Sequence, residues 1–239
     1  METPNSQSST PDAHTSTPDR RVAVLFSSGL DSAVLAAAEA RASTVYPIYV
    51  SCGLSWEPEE LTVADRLFGT PAFDNVQPIV RLAFTVADLY PANHWALRGA
   101  PPGFDTPDEA VYLTGRNLVL LSKAAIYCAQ HDLGAIAIGT LTGNPFPDAT
   151  SDFFRTLALA VSLGLAHEIS IEAPFMHMHK SEVIRLGHEL GVPLDLTLSC
   201  MNPRDGEHCG DCSKCRERRD AFREAGIEDL TRYQRIPRR

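Results

Sequence analysis

Apolar residues fall into two alternating kinds of segment along the chain. Apolar runs that are too short for helices predict buried strands at residues 21–27, 44–50, 76–84, 134–140 and 167–174. Longer runs of helix-forming residues predict helices at residues 31–42, 57–68, 110–131, 151–166 and 180–191. Strands that alternate with helices are typical of a parallel sheet covered on both faces. We therefore predict an α/β fold with a doubly wound parallel sheet of about five strands.

Local signals mark where some of these elements begin and end. Residues 97–109 and 143–150 are expected to be loops because they are rich in Gly and Pro. Ser151 is expected to be the N-cap of the helix that follows it. Gly191 and Pro193 are expected to end the fifth helix.

Length and composition bound the class of protein. The chain has 239 residues, 44% of them hydrophobic, which suits one sizeable domain or one domain with a small appendage. Its formal net charge of −9 argues against a general nucleic-acid binder, because a phosphate backbone attracts basic surfaces. Residues 1–20 are rich in Ser, Thr and Pro and are expected to be a disordered tail. That tail lacks the apolar segment of a secretory signal, and no apolar run is long enough to span a bilayer, so we expect a cytoplasmic protein without a membrane partner.

One local cluster of positive charge departs from the acidic average. Its members are Lys214, Arg216, Arg218, Arg219 and Arg223. Acidic residues are interleaved with them, which favours a solvated helix face over a nucleic-acid surface.

The chain contains six cysteines, and their spacing indicates a metal site. Four of them crowd into sixteen residues, at Cys200, Cys209, Cys212 and Cys215. In a reducing compartment this density points to metal rather than to disulfides. Four thiolates would close a tetrahedral shell around Zn²⁺ and leave no position for water, which predicts a structural site; an iron–sulfur cluster needs the same number of ligands and is the alternative. Cys52 and Cys128 are expected to be small buried hydrophobes.

The first predicted strand ends in the stretch F-S-S-G-L-D-S at residues 26–32. In an open α/β sheet, ligands bind where the carboxyl ends of strands meet helix N-termini. A helix start offers unpaired backbone N–H groups, the serines add hydroxyl donors, and Gly29 permits a tight turn or a close approach. The stretch therefore predicts a phosphate-binding loop, although not a Walker A loop, because no G-x-x-x-x-G-K-[ST] occurs. A structural turn with Asp31 as N-cap is the alternative.

The segment from Ser27 to Ser32 resembles the S-G-G-x-D-S loop of the pyrophosphatase-loop ATP enzymes, which cleave ATP between its α- and β-phosphates and activate a substrate as an adenylate. The resemblance implies an adenine nucleotide alpha hydrolase-like fold, with an ATP-binding α/β domain at residues 21–195 and a zinc-binding C-terminal region at residues 196–239. The residues that it assigns to ATP are Phe26, Ser27, Ser28, Gly29, Leu30, Asp31 and Ser32. Ser28 replaces the first glycine of that loop, so a positive φ there would be strained.

The loop and the cysteine cluster together resemble the 7-cyano-7-deazaguanine synthase family over roughly residues 21–231. Four further stretches are similar to segments of that family: L-T-G-R-N at 113–117, F-P-D and Phe153 within 146–153, H-K-S-E-V-I-R-L-G at 179–187 and T-L-S-C at 197–200. Three positions depart from the family pattern. Ala149 and Thr150 stand where the family has Cys and Arg, and Leu198 stands where it has Trp.

This resemblance implies an ATP-dependent ligase. ATP would adenylate the carboxylate of 7-carboxy-7-deazaguanine, ammonia would displace AMP to give the amide, and a second adenylation would permit dehydration to the nitrile of 7-cyano-7-deazaguanine. Mg²⁺ would bridge the phosphates, Asp31 would orient the metal or the ribose, and Lys180 and Arg116 would neutralise phosphate oxygens. Phe146 and Asp148 would bind the substrate. The resemblance also implies a homodimer that acts on small molecules.

The three departures keep other functions open. An arginine and a tryptophan are suited to holding a carboxylate and to stacking on a flat base, and this chain lacks both at the family's positions. One alternative is a related adenylating enzyme that acts on another carboxylate, attaches a deazapurine to another nucleophile or thiolates tRNA. The other is a non-enzymatic zinc module that binds nucleic acid through its basic C-terminal helix.

Overall fold

Five parallel strands form the centre of the computed structural model, which describes residues 20–235. They are β1 (Arg21–Leu25), β2 (Thr44–Ser51), β3 (Val80–Ala83), β4 (Ala135–Ala137) and β5 (Ser170–Glu172). Their order across the sheet is β3-β2-β1-β4-β5. The predicted parallel sheet is therefore confirmed. Apart from Arg20, the tail expected at residues 1–20 lies outside the described residues.

The α-helices of the described part alternate with the strands. They are α1 (Leu30–Glu39), α2 (Glu57–Leu67), α3 (Trp95–Arg98), α4 (Arg116–Gln130), α5 (Ser151–Leu165), α6 (Lys180–Glu189) and α7 (Ser213–Ala225). Between residues 20 and 235, none of them is long and apolar enough to cross a membrane.

Helices cover both faces of the sheet. On one face, α1 packs on β1 and β2 and buries Leu30 and Val34, and α6 packs on α1 and buries Ile184 in the same core. On the other face, α4 and α5 bury Leu121 and Phe154. Each such side chain contributes about 1.5–3 kcal/mol when it is fully buried, so two apolar layers fix the positions of the strand ends.

The order of the strands leaves a crevice at the carboxyl end of the sheet. From β1 the chain moves outward through β2 and β3, and it then returns to the other side of β1 to form β4 and β5. The loops that follow β1 and β4 therefore diverge, and such a switch point is where open α/β sheets bind ligands.

The loop predictions need local corrections. α3 lies partly within residues 97–109, and a short 3-10 helix at Pro147–Ala149 lies within residues 143–150. The N-cap of α5 is Thr150 rather than Ser151, because the Thr150 hydroxyl accepts a hydrogen bond from the Phe153 N–H at 3.2 Å.

The prediction of a solvated basic face on α7 is wrong at its centre. Arg218 is 0% exposed, and its guanidinium donates to the Leu194 carbonyl at 2.5 Å and to the hydroxyls of Thr197 and Thr231 at 2.9 Å. These acceptors match the planar fork of an arginine, which is why a charged residue can face the interior here.

Candidate functional site

The loop after β1 has the backbone geometry of an anion-binding site. Gly29 is the N-cap of α1, and its carbonyl accepts from the Ala33 N–H at 3.0 Å, so the N–H groups of residues 30–32 precede the first intrahelical bond. The Ser32 hydroxyl folds the loop, because it accepts from the Ser27 N–H at 3.2 Å and donates to the Gly29 carbonyl at 3.0 Å. Gly29 has φ −67°, so its backbone conformation does not require glycine, and a Cβ there would crowd Ser27 Oγ at 3.2 Å.

Ser28 adopts a left-handed backbone conformation. Its φ is 60°, so the strain expected at this position is present. The buried Ser28 hydroxyl donates to the Glu60 carbonyl at 2.6 Å, and the Ser28 carbonyl accepts from the Leu198 N–H at 2.8 Å. Two hydrogen bonds therefore hold the strained residue in place.

A chain of alternating charges runs from the loop to α7. Lys180 Nζ lies 3.2 Å from Asp31 Oδ2 and pairs directly with Glu217, which also pairs with Lys214. Although burial opposes it, the ammonium groups of Lys180 and Lys214 lower the pKa of Glu217 to about 2. Burial has the larger effect on Asp31 and raises the pKa of its carboxyl despite the Lys180 charge. The predicted residues Asp31 and Lys180 are thus brought together, and Glu217 joins them.

Asp31 keeps one carboxylate oxygen available. Its Oδ1 atom is buried and has no hydrogen-bond partner within residues 20–235. Gly139, just after β4, makes room for this part of the loop, because a Cβ there would lie 3.3 Å from the Asp31 backbone. The free oxygen suits a cation that approaches from the crevice.

Arg116 stands at the start of α4 and is the third predicted charged residue. Its Nε atom is buried and lacks a hydrogen-bond partner, and no carboxylate of the described chain lies within 4.0 Å of it. Glu60 faces the same space. Burial raises the pKa of Glu60 to about 7, although the Arg116 charge and a 2.8 Å hydrogen bond from the Tyr49 hydroxyl oppose this effect.

Two adjoining cavities open at the carboxyl end of the sheet. The strand-end cavity, of about 260 Å³, lies against Leu25, Tyr49 and Ile138. The tryptophan cavity, of about 370 Å³, lies against Trp56 and Trp95. Side chains of both cavities include Ser27, Asp31, Glu60, Arg116, Asn144 and Phe146. The charged residues therefore stand on a shared wall.

The two residues predicted to bind substrate occupy different environments. Phe146 lines both cavities and stacks on Tyr112, with ring centroids 5.0 Å apart. Asp148 lines the strand-end cavity, but its Oδ2 atom accepts from the Asn117 N–H at 3.0 Å. The side-chain amide of Asn117 donates a second hydrogen bond, from Nδ2 to the Asp148 backbone carbonyl, at 3.0 Å. Asp148 therefore anchors the first turn of α4, and its recognition of a purine stays a prediction.

The four clustered cysteines form a compact donor set. The sulfur atoms of Cys200, Cys209, Cys212 and Cys215 all lie within 4.8 Å of one another. Backbone N–H groups of Asn202 and Cys209 lie 3.3 Å from the Cys200 sulfur, which is an arrangement that stabilises thiolates. Four such sulfurs fit a metal ion or cluster. The other two cysteines, Cys52 and Cys128, are buried as predicted.

The cysteine cluster also fixes α7. Cys212 is the N-cap of this helix and Cys215 lies in its first turn. Lys214 and Glu217, which line the tryptophan cavity, follow on the same helix. A metal held by the cluster would therefore position charged groups of the crevice.

Sequence reasoning missed several residues of this site. Glu60 lies on α2, outside the recognised motifs, and Glu217 lies on α7, two residues after Cys215; only packing brings their side chains to the crevice. His208 is buried, its Nε2 atom accepts from the Ser199 N–H at 3.0 Å, and burial together with the Arg218 charge lowers its pKa to about 3. The spacing of Cys215, Arg218 and Phe222 on one helix face was a signal that Arg218 points inward.

Comparisons with known proteins cover nearly the whole described chain. A family model described as queuosine biosynthesis protein QueC matches residues 21–226. A 7-cyano-7-deazaguanine synthase from Methanopyrus kandleri is 34% identical over 227 residues, which are 88% of this chain and 97% of the relative. The enzyme of the same name from Methanothrix thermoacetophila is 34% identical over 225 residues, 90% of this chain and 99% of the relative. Among solved structures, a "predicted subunit of tRNA methyltransferase" from Methanocaldococcus jannaschii has a TM-score of 0.46 and 15% identity, covering 90% of this chain and 92% of that chain.

Proposed function

The chain belongs to the family of queuosine biosynthesis protein QueC, and on that premise we propose that it is an ATP-dependent ligase that converts 7-carboxy-7-deazaguanine and ammonia into 7-cyano-7-deazaguanine. The observation that carries this proposal is the shared wall of the two cavities. There the N-terminus of α1, the Asp31–Lys180 pair and Arg116, which has no carboxylate within 4.0 Å among the described residues, face one crevice. Such a wall suits a reaction between a nucleotide and a second substrate.

The wall supplies what carboxylate activation requires. A carboxylate is a poor electrophile because its leaving group would be oxide, whereas AMP departs readily from an adenylate. The free N–H groups of α1 and the Ser27 hydroxyl would hold the departing pyrophosphate. Arg116 and Lys180 would stabilise the negative charge that develops on the phosphate oxygens.

The Oδ1 atom of Asp31 is buried and has no hydrogen-bond partner in the part of the chain that the structure describes, and it fits a hard cation such as Mg²⁺, which prefers oxygen ligands. Bound there, Mg²⁺ would offset phosphate charge. Lys180 Nζ lies 3.2 Å from the other carboxylate oxygen, Oδ2, and this pair fixes the side chain of Asp31, which lines both cavities.

Ammonia is a nucleophile only after ammonium has lost a proton. Glu60 stands on the shared wall, and its pKa of about 7 lets the carboxylate accept a proton near neutral pH. We assign Glu60 this role, with the Tyr49 hydroxyl holding it in place at 2.8 Å.

The cysteine cluster would hold Zn²⁺ as a closed structural site, because four thiolates leave no coordination position for a substrate. This use of the cysteines also weighs against a tRNA-thiolating enzyme that relies on paired reactive thiols. The remaining described cysteines, Cys52 and Cys128, are buried.

The second candidate function is an adenylating enzyme of the same family that acts on a different carboxylate or joins a deazapurine to another nucleophile. Two observations favour it. Thr150, which stands where the family has arginine, caps α5, and Leu198, which stands where it has tryptophan, is buried.

A product assay tests the proposal. The protein should release AMP and pyrophosphate only when ATP, 7-carboxy-7-deazaguanine and ammonium are all present. Asp31→Ala should abolish AMP formation and leave the circular dichroism spectrum unchanged. Asp152→Ala is the matched control, because Asp152 is exposed and pairs only with Arg155 among the described residues. ATP binding without turnover of this acid would reject the substrate and leave the second candidate.

A further inference from the structure

One wall of the tryptophan cavity is aromatic, and the binding of phosphate groups does not require an aromatic wall. Trp56 and Trp95 both line it, and their rings are stacked with centroids 5.8 Å apart and planes 10° apart. Leu198 lines the same cavity. The chain therefore lacks the family's tryptophan at position 198 but places two other indoles around the same space.

The loop between β3 and α4 holds these indoles in place. His94 is the N-cap of α3, so Trp95 is the first residue of that helix. The Ser55 N–H donates to the Ala96 carbonyl at 2.9 Å, which ties α3 to the residue before Trp56. Trp95 also contacts the tilted ring of His94, with ring centroids 5.5 Å apart. The stacked pair is thus a fixed surface, and fixed aromatic surfaces bind planar rings at low entropic cost.

The charges of the cavity indicate where an anionic group would sit. Lys180 is paired with Asp31 and Glu217, and Lys214 is paired with Glu217. Arg116 has no carboxylate within 4.0 Å among residues 20–235, and its Nε atom is buried without a partner. A guanidinium in this state suits a carboxylate, which can accept two parallel hydrogen bonds.

We propose that the tryptophan cavity is the acceptor-substrate site, in which a planar heteroaromatic ring packs against the Trp56–Trp95 pair and its carboxylate binds Arg116. The inference rests on the proposed function for the direction of the chemistry. A carboxylate at Arg116 lies on the wall shared with the strand-end cavity, so the guanidinium that binds it is also within reach of the phosphate oxygens assigned to Arg116 above. There its oxygen can attack the α-phosphorus of ATP, while the bond to pyrophosphate breaks and pyrophosphate leaves with the electron pair.

Substitutions at Trp95 and Tyr112 test which cavity binds the acid and which binds ATP. Trp95→Leu should raise the KM for 7-carboxy-7-deazaguanine about tenfold and leave the KM for ATP within twofold, because a stacked base loses roughly that much affinity without its aromatic partner. Trp95→Phe should recover most of the loss. Tyr112→Leu is the matched control: Tyr112 lines the strand-end cavity but not the tryptophan cavity, so its loss should change the KM for ATP instead. Melting temperatures confirm that each variant is folded.

The outcomes distinguish the subsite from the overall function. If the wild type converts the acid but Trp95→Leu changes neither KM, or changes only that for ATP, the subsite is wrong and the function stands. If the wild type does not convert the acid, the function falls, and saturation-transfer NMR with indole-3-carboxylate then tests the subsite. A signal that disappears in Trp95→Leu and in Arg116→Met supports it. No signal in the wild type, or equal signals in all three proteins, overturns it.

Discussion

The backbone N–H of Leu198 donates to the carbonyl oxygen of Ser28 at 2.8 Å. This hydrogen bond joins the segment that leads into Cys200 to the loop that follows β1. Arg218 also anchors this segment, because its guanidinium donates hydrogen bonds to the hydroxyls of Thr197 at 2.9 Å and Ser199 at 3.1 Å. The cysteine region and the phosphate-binding loop are therefore mechanically connected, although more than 160 residues separate them in the sequence.

The strain at Ser28 can be measured with two substitutions. Ser28→Ala keeps the side chain at φ 60° and loses the hydrogen bond to the Glu60 carbonyl, which should cost about 1 kcal/mol of unfolding free energy. Ser28→Gly loses the same bond but removes the left-handed strain. We expect the Gly variant to be more stable than the Ala variant by about 1 kcal/mol in urea denaturation. An Ala variant as stable as the Gly variant would show that the position is not strained.

Arg218 should support the phosphate loop as well as the fold. Arg218→Met keeps the length of the side chain but leaves the Leu194 carbonyl and two buried hydroxyls without their donor. We expect a loss of about 3 kcal/mol in unfolding free energy and a higher KM for ATP, because the Thr197–Ser199 segment is no longer held. Arg223→Met is the control, since Arg223 is exposed and pairs with Asp220 one turn away. A destabilised Arg218→Met variant with an unchanged KM for ATP would show that Arg218 supports the fold but not the phosphate-binding loop.

The spacing of hydrophobic residues was sufficient to predict the sheet and most helices. A short apolar run such as residues 22–25 is visible in the local sequence, and it is buried in the structure. The cysteine cluster and the loop were also visible, since their residues are close in sequence. Glu217 was not, because its role depends on how α7 packs against α6. Trp56 lies just before α2, whereas Trp95 begins α3 in the irregular connection between β3 and α4, and no sequence period predicts that these two side chains stack.

Metal removal should weaken nucleotide binding together with the fold. Cys212 caps α7, so Cys212→Ser should lower the metal content, the melting temperature and the affinity for ATP, because Lys214 and Glu217 lose their support. Cys128→Ser is the matched control: it disturbs a buried cysteine on α4 and should lower only the melting temperature. Elemental analysis, thermal unfolding and ATP titration measure the three effects. One metal per chain and an unchanged melting temperature in Cys212→Ser would reject the structural role of the cluster.

Glu60 should make stability fall as pH rises. Its pKa of about 7 in the folded protein lies above the ordinary value of 4.5, so between these values the folded state keeps a proton that the unfolded state releases. The free energy of unfolding should therefore decrease from about pH 4.5 to about pH 7, by at most roughly 3 kcal/mol, and then level off. Glu60→Gln, which is neutral at every pH, should abolish this decrease and be the more stable protein at pH 8.

The same titration should govern catalysis, which separates a functional Glu60 from a merely buried one. In the wild type, ammonia-dependent turnover should rise through pH 7 as the carboxylate becomes able to accept a proton. Glu60→Gln should lose the part of this rise that follows the Glu60 pKa and keep only the part that follows the fraction of free ammonia. Tyr49→Phe removes the hydrogen bond that lowers the Glu60 pKa, so both the stability change and the rate change should move to higher pH. If only the stability profile responds, Glu60 is a buried acid without a part in proton transfer.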